Sequence, residues 1–373
     1  MDSWLLEFRF KKEILKDSKL SETFIDGLVE AVHFMIDGGK VVFKNNHDCV
    51  NQGFTVFIQE PNISSVLIQG MRDGVLTFDL HLLSMVEPEV FDKKVLTFHD
   101  KLLEHEGIVR RKTSEFEPLG RIKRGRTFSP YERAATGLVI EHDFDKLVFD
   151  GKSPYQTVRI LHSMQFGNCL VLDNDMNLAE SDISYTVAIT GGGREDYRGK
   201  NVLILGGGDG GILHHLRDKG ARMITMIDID RMVVDAAKIH LRGICGDAMD
   251  REEGDNYKII VEDCVPHLKK FAAEGQKFDY VINDLTAIPI SLEPTGSFWD
   301  FLRLILSLSI DVLEEDGKYF TQGNSSNMRD ALQMYEDQLN KLEVKVSFSK
   351  ETVCVPSYHE LWVFYTLWKS AQS

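Results

Sequence analysis

Val202-Leu203-Ile204-Leu205-Gly206-Gly207-Gly208-Asp209-Gly210-Gly211 is the stretch from which the fold is read. Four apolar residues in a row suit a parallel strand covered on both faces. The glycines that follow let the chain turn tightly and let a ligand approach the main chain before a helix begins. Gly206, Gly208 and Gly211 satisfy GxGxxG, a weak motif by itself. Asp209 is the odd member, because its carboxylate would repel a phosphate. The turn is expected to face a cationic or neutral group rather than a pyrophosphate.

Downstream, strand and helix patterns alternate. Strands are predicted at 223–227, 257–261, 278–282 and 318–322, then 344–348 and 361–367. Helices are predicted at 298–315, stopped by Gly317, and at 328–342. This is an α/β pattern: a doubly wound sheet whose closing strand pair resembles the Rossmann-like methyltransferase arrangement. Ligands of such sheets bind at the carboxyl ends of the strands. Four successive strands here lead into an acid: Asp209, Asp228, Asp263 and Asp284. Helix capping accounts for one or two of these; all four on one rim predict a site. Asp228 falls at the spacing of an acid that grips ribose hydroxyls. Asp263, with the Cys264 amide beside it, is placed for an adenine amino group. These residues predict a nucleoside ligand without separating NAD from an S-adenosyl compound. Asp209 suits a sulfonium better than a dinucleotide.

Upstream, residues 1 to about 115 carry strand-like segments and short helices but no catalytic constellation. Ser65 to Leu80 predicts a hairpin with a type I′ turn at Asp73-Gly74. Val95 to Val109 has helical periodicity. Arg110-Arg111-Lys112 and the basic run Arg121 to Arg126 bracket Pro118, Gly120 and Gly125, which reads as a solvated linker at a domain boundary. Short strands then predict a small antiparallel sheet, at 137–141, 146–150, 156–161 and 168–173. Glu180 to Tyr185 opens a helix, with Ser181 or Asp182 as its cap. The expected organisation is an α+β domain at 1–120, a small antiparallel β domain at 121–178, and the Rossmann-like domain at 179–373.

Of the 373 residues, 43% are hydrophobic and 27% charged, the balance of a globular protein. The net charge of −15 disfavours nucleic acid and anionic membrane as partners and is compatible with a polycationic small molecule. The five cysteines show no zinc spacing and read as reduced thiols of a cytoplasmic protein. The N-terminus lacks an unbroken apolar h-region, and no apolar run approaches membrane-spanning length.

Several blocks together resemble the aminopropyltransferases, most closely their spermine-forming branch. They are Ser153-Pro154-Tyr155-Gln156, Glu180-Ser181-Asp182, the 205–211 turn, Val261-Glu262-Asp263-Cys264, Asn283-Asp284-Leu285-Thr286, Tyr319 to Asn324 and Cys354-Val355-Pro356-Ser357-Tyr358. The resemblance implies that Gln156, Asp228, Asp263 and Cys264 hold decarboxylated S-adenosylmethionine, with Gly206 and Gly208 beneath it. It implies that Tyr185, Asp209, Tyr358 and Glu360 line the polyamine channel and that Asp284 is the catalytic proton acceptor. It further implies a homodimer formed through the N-terminal domain. Two departures stand out. The family usually has Glu where this chain has Asp228, about one methylene shorter, so a water bridge or a closer strand end is expected. The loop after Asp284 reads Leu285-Thr286-Ala287 and lacks the second acid of the putrescine-using members, which favours spermidine as acceptor. Putrescine as acceptor, and a non-catalytic polyamine-binding dimer, are the alternatives.

The implied reaction requires no metal or redox cofactor, since a sulfonium already leaves readily. It does bring two cations together and needs a neutral amine. Removing a proton from an alkyl ammonium of pKa ~10.4 at neutral pH costs roughly 4–5 kcal/mol. A carboxylate within hydrogen-bond reach, plus partial desolvation, offsets much of that. The loop from Leu285 to Ser297 is expected to act as a lid.

Overall fold

The computed structural model describes residues 2–36, 39–45, 53–60, 64–82, 88–109, 120–134 and 137–370. Arg110-Arg111-Lys112, Pro118 and Cys49 lie outside them. The described residues form two compact units, Met1–Ser129 and Pro130–Ser373.

The first unit holds strands β1 (Asp2–Arg9), β2 (Lys40–Asn45), β3 (Phe54–Glu60), β4 (Ser64–Gly70), β5 (Val75–Leu82) and β6 (Ile122–Lys123), with helices α1 (Ser18–His33) and α2 (Pro88–Glu104). Its sheet runs β2-β3-β4-β5-β1-β6. Period-two alternation buries Trp4, Leu6 and Phe8 of β1 while Leu5 and Glu7 are exposed. The buried face packs on Phe24, Ile25, Leu28 and Val32 of α1 and on Phe91, Val95, Phe98 and Leu102 of α2. Two expectations change here. The helix predicted from Val95 starts at Pro88 and ends at Glu104, before Gly107 (φ +144°) and the bridge between Phe10 and Ile108. The β4–β5 turn is not type I′. Gly74 alone takes a positive φ, and its amide donates to the Met71 carbonyl (2.9 Å).

The second unit begins with a two-stranded ribbon, β7 (Tyr131–Arg133) and β8 (Val139–Glu141). A four-stranded antiparallel sheet follows, β9 (Phe144–Lys152), β10 (Thr157–Ser163), β11 (Gly167–Leu172) and β12 (Asp175–Ala179), in the order β12-β11-β10-β9. Asp173 and Asn174 turn β11 into β12 with positive φ at both.

The main domain then alternates α3 (Ile183–Ile189), β13 (Asn201–Gly206), α4 (Gly211–Arg217), β14 (Met223–Asp228), α5 (Arg231–His240), α6 (Arg242–Cys245), β15 (Tyr257–Val261), α7 (Cys264–Glu274), β16 (Phe278–Asp284), α8 (Ser297–Asp311), β17 (Leu313–Ser325), α9 (Arg329–Leu339), β18 (Val346–Val355) and β19 (Glu360–Lys369). Strand order is β15-β14-β13-β16-β17-β19-β18. The first five are parallel, and β19 runs against both neighbours. This is the Rossmann-like methyltransferase order. The opening strand is covered on both sides: Val202 and Ile204 face one core with Ile212 and Leu213, while Leu203 and Leu205 face another with Leu268, Phe271 and Trp299. The chain reverses its strand order at β13, so the crevice lies beyond β13, β14 and β16.

The helix predicted to reach Glu315 ends at Asp311, because Leu313 is fully buried and pairs with Phe278 at the start of a bulged β17. Asp182 occupies the N-cap of α3, but its side chain takes none of that helix's amides.

Candidate active site

A cavity of about 680 Å³ opens at the carboxyl ends of β13, β14 and β16. Glu132, Asp173, Asp175, Asp209, Asp228, Asp284 and Glu360 line it. No Lys, Arg or His among the described residues does. Gln156, Tyr185, Gly206, Gly208 and Tyr358 share its wall. A site walled by carboxylates with no cationic side chain in the described wall is selective for cations, most strongly where water is scarce.

The glycine turn brings the acids close. Gly206 has φ +80°, and a Cβ there would lie 2.4 Å from the Asp284 carbonyl oxygen, because β13 and β16 pair at this point. A Cβ on Gly208 would lie 2.6 Å from Asp228 Oδ2. The Asp228 carboxylate instead receives the Gly208 amide on Oδ2 (2.9 Å) and the Asp230 amide on Oδ1 (2.8 Å). Burial pushes Asp228 up to about 6, opposed by those two amides and aided by the charges of Asp209 and Asp230. Asp209 is 9% exposed, and its Oδ1 accepts the Gly211 amide (2.8 Å). Burial raises its pKa as well.

Asp284 ends β16 and accepts a short hydrogen bond from the Tyr185 hydroxyl. Burial holds its pKa well above the usual carboxylate range. The neighbouring Asp209 adds to the rise, and the Tyr185 bond pulls the other way. A carboxylic acid raised in this way is a better proton acceptor once an incoming cation returns it to the ionised form. Tyr185 is 4% exposed and packs edge-on to Tyr358 (6.2 Å, 66°) and Phe364 (5.2 Å, 75°). The Tyr358 hydroxyl donates to the Asn177 carbonyl.

Two of the expected site residues are not in the cavity wall. Asp263 is exposed one strand beyond Asp228, and its Oδ1 caps α7 through the Val265 amide (2.9 Å). Cys264 is buried in the core beside Leu268 and Phe271, and burial pushes its thiol up to about 12.

Sequence reading missed others. Asp230 is 2% exposed and gathers Ser153 Oγ (2.7 Å) and Gln156 Nε2 (3.0 Å) on Oδ2, fixing the loop that carries Gln156. Glu132 is backed by His142 (2.7 Å), and Asp175 beside it is pushed up to about 6 by burial and then by Glu132. Trp362 donates to Gln322 Oε1 (3.2 Å), and both line the cavity. The only signal for Asp175 was the acid density of Asp173-Asn174-Asp175; Glu132 had none. The loop after Asp284 supplies Leu285, Thr286, Ala287 and Ile290 to the wall. It is tied down at Ile288, whose amide donates to Gly323 (2.8 Å) and whose carbonyl accepts from Asn324 (2.8 Å).

The Spermine/spermidine synthase domain matches residues 183–373, more than half of the chain, and the Spermidine synthase tetramerisation domain matches residues 129–180. A polyamine aminopropyltransferase of Hydrogenobaculum sp. (strain Y04AAS1) is 29% identical over 226 residues, covering 59% of this chain and 75% of that protein. Spermidine synthase 2 of Arabidopsis thaliana is 38% identical over 143 residues, covering 38% of this chain and 40% of its own length. The chain therefore spans three quarters of the bacterial relative but well under half of the plant one. Among solved structures, the spermidine synthase from Thermotoga maritima superposes with a TM-score of 0.53 at 19% identity, covering 71% of this chain and 85% of that one. A spermidine synthase in complex with the transition state analogue AdoDATO gives 0.51 at 20% identity, covering 70% and 86%. At these identities the structures speak for the fold alone.

Proposed function

We propose that this chain, which belongs to the spermine/spermidine synthase family, transfers the aminopropyl group of decarboxylated S-adenosylmethionine to spermidine. The products are spermine and 5′-methylthioadenosine. The chain is thus an aminopropyltransferase, and the acceptor is the finer part of the proposal. The observation that carries it is the cavity walled by seven carboxylates and no cation among its described residues.

In the reaction, an acceptor nitrogen attacks the aminopropyl carbon next to the sulfonium. The C–N bond forms as the C–S bond breaks, sulfur keeps the electron pair, and the nitrogen's surplus proton goes to Asp284. Asp284 stands at the carboxyl end of β16, beside the glycine turn. Asp209 offsets the repulsion between the two cations. Gln156 and Asp228 hold the ribose side over Gly206 and Gly208. Asp263, with Oδ1 on the Val265 amide, offers Oδ2 to the adenine amino group, and Cys264 offers its backbone amide. Tyr185, Tyr358 and Glu360 orient the polyamine. The loop from Leu285 to Ser297 closes over the bound pair.

Spermidine is favoured over putrescine on two grounds. Leu285 and Thr286 stand in the wall where a second acid would hold a short diamine. Glu132, Asp173 and Asp175 extend the acidic lining, suiting an acceptor with more than two charges. Assembly through the Met1–Ser129 unit as a homodimer is part of the same proposal.

The test is turnover with decarboxylated S-adenosylmethionine and either spermidine or putrescine, with products identified. Spermine and methylthioadenosine from spermidine are expected. A higher kcat/KM on putrescine would transfer the reading to spermidine synthase, and no methylthioadenosine with either acceptor would leave only polyamine binding.

A further inference from the structure

Asp182 is wholly buried (0% exposed) and plays no part in the mechanism above. Its Oδ2 accepts the Ala179 amide (2.7 Å) and the Ser357 hydroxyl (2.5 Å), and its Oδ1 accepts the Ser357 amide (3.0 Å). Ala179 is the last residue of β12, and Ser357 lies in the short 3-10 turn Pro356–Tyr358 between β18 and β19. One carboxylate thus joins segments 175 residues apart.

We propose that Asp182 is a positioning residue for acceptor recognition, pinning the β18–β19 turn to the end of β12 and so fixing where Tyr358 and Glu360 stand relative to Tyr185. Three connections carry this. Tyr358 follows Ser357 directly, and its hydroxyl reaches back to Asn177 on the pinned strand. Tyr185 lies one turn beyond Asp182, and its amide donates to the Asp182 carbonyl (2.9 Å). Ser184 Oγ donates to the Cys354 carbonyl (2.9 Å), holding the same turn from its other side.

The residue type matters. Three donors converge, and only a carboxylate offers acceptors on both oxygens; an amide would set an NH₂ against a main-chain N–H. Burying a carboxylate is costly, and a group kept under that cost commonly fixes registry. Burial raises its pKa while the Ser357 and Ala179 donors oppose the rise.

The inference rests on the reading of Tyr358 and Glu360 as acceptor wall, so the experiment tests both. Steady-state kinetics on the full chain should show Asp182→Asn raising acceptor KM about tenfold, with kcat and donor KM within about twofold. Ser357→Ala should move acceptor KM the same way by about threefold, and the double variant should be no worse than Asp182→Asn alone. Equal rises in both KM values, a fall in kcat alone, or additive effects would mark Asp182 as a general staple and overturn the proposal. Should Asp182→Asn not fold, the same split in Ser357→Ala decides. Tyr358→Phe and Glu360→Gln separate the two layers. If they raise acceptor KM and Asp182→Asn does not, the pinning role alone fails. If neither affects acceptor KM, the acceptor-wall reading fails and the pinning role falls with it.

Discussion

Lowering the pH is expected to strip the nucleoside from this protein through one side chain. Asp228 sits at about 6 because burial disfavours its charge. In the ribose-gripping role proposed for it, Asp228 must be ionised, so that its oxygens accept from sugar hydroxyls while retaining the Gly208 and Asp230 amides. The sign follows: affinity is full well above the raised pKa and is lost as pH falls through it. If the protonated form binds negligibly, the ionised fraction falls from nearly all at pH 8 to about one part in eleven at pH 5, so affinity drops about tenfold, or about 1.4 kcal/mol. The suitable ligand is 5′-methylthioadenosine, which lacks the sulfonium charge and so probes the nucleoside contacts alone. Isothermal titration across pH 5–8 gives the profile, and repetition at pH 6 in buffers of different ionisation enthalpy should show release of about half a proton per ligand bound. Asp209 contributes to the rise, so Asp209→Asn should move the midpoint down. Asp228→Asn should bind weakly and flatly with pH. A wild-type affinity constant from pH 8 to 5, or a pH profile that survives in Asp228→Asn, would refute the reasoning.

Asp284→Asn should lower kcat by about 10²–10⁴ with methylthioadenosine affinity within a few-fold, measured by single-turnover rates beside titration. Tyr185→Phe removes the bond that pulls the Asp284 pKa down, so the acid limb of kcat/KM should move to higher pH; an unmoved limb would exclude Asp284 as the titrating base. Gly206→Ala meets both a positive φ and the Asp284 carbonyl, and should lower stability by about 2–4 kcal/mol in urea unfolding.

The first four strands of the main sheet were legible because each is a short apolar run leading into turn residues and an acid, and strand order follows from crossover rules. Asp209, Asp228 and Asp284 could be grouped for the same reason: each leaves a strand at the switch between β13 and its neighbours. Rim position does not fix side-chain direction, however. Asp263 ends its strand as the others do, yet lies exposed at the start of α7, and the Cys264 side chain turns into the core. The end of α8 was misread because Glu314 to Asp316 continue a helical polarity pattern, while pairing of Leu313 with Phe278 decides the matter and is a contact far away in sequence. Glu132, Asp175 and Asp230 were hidden for a related reason. Each looks like an ordinary surface or capping acid until the small sheet, the ribbon and the main domain are folded together.

The β18–β19 hairpin has a consequence for how this protein can change. The groups proposed to read the donor are scattered far apart in sequence, over the loop before β10, the ends of β13 and β14 and the start of α7, so no single short segment carries them. Tyr358 and Glu360 sit instead at the tip of an antiparallel pair on the sheet's edge, within a handful of consecutive residues. Hairpin tips tolerate replacement where the side chain is free, and here the held position is Ser357, wholly buried on Asp182. The share of acceptor recognition proposed for Tyr358 and Glu360 is therefore the part that can change by short local replacement, and a graft of residues 354–361 that keeps Ser357 on Asp182 is the unit for exchanging it.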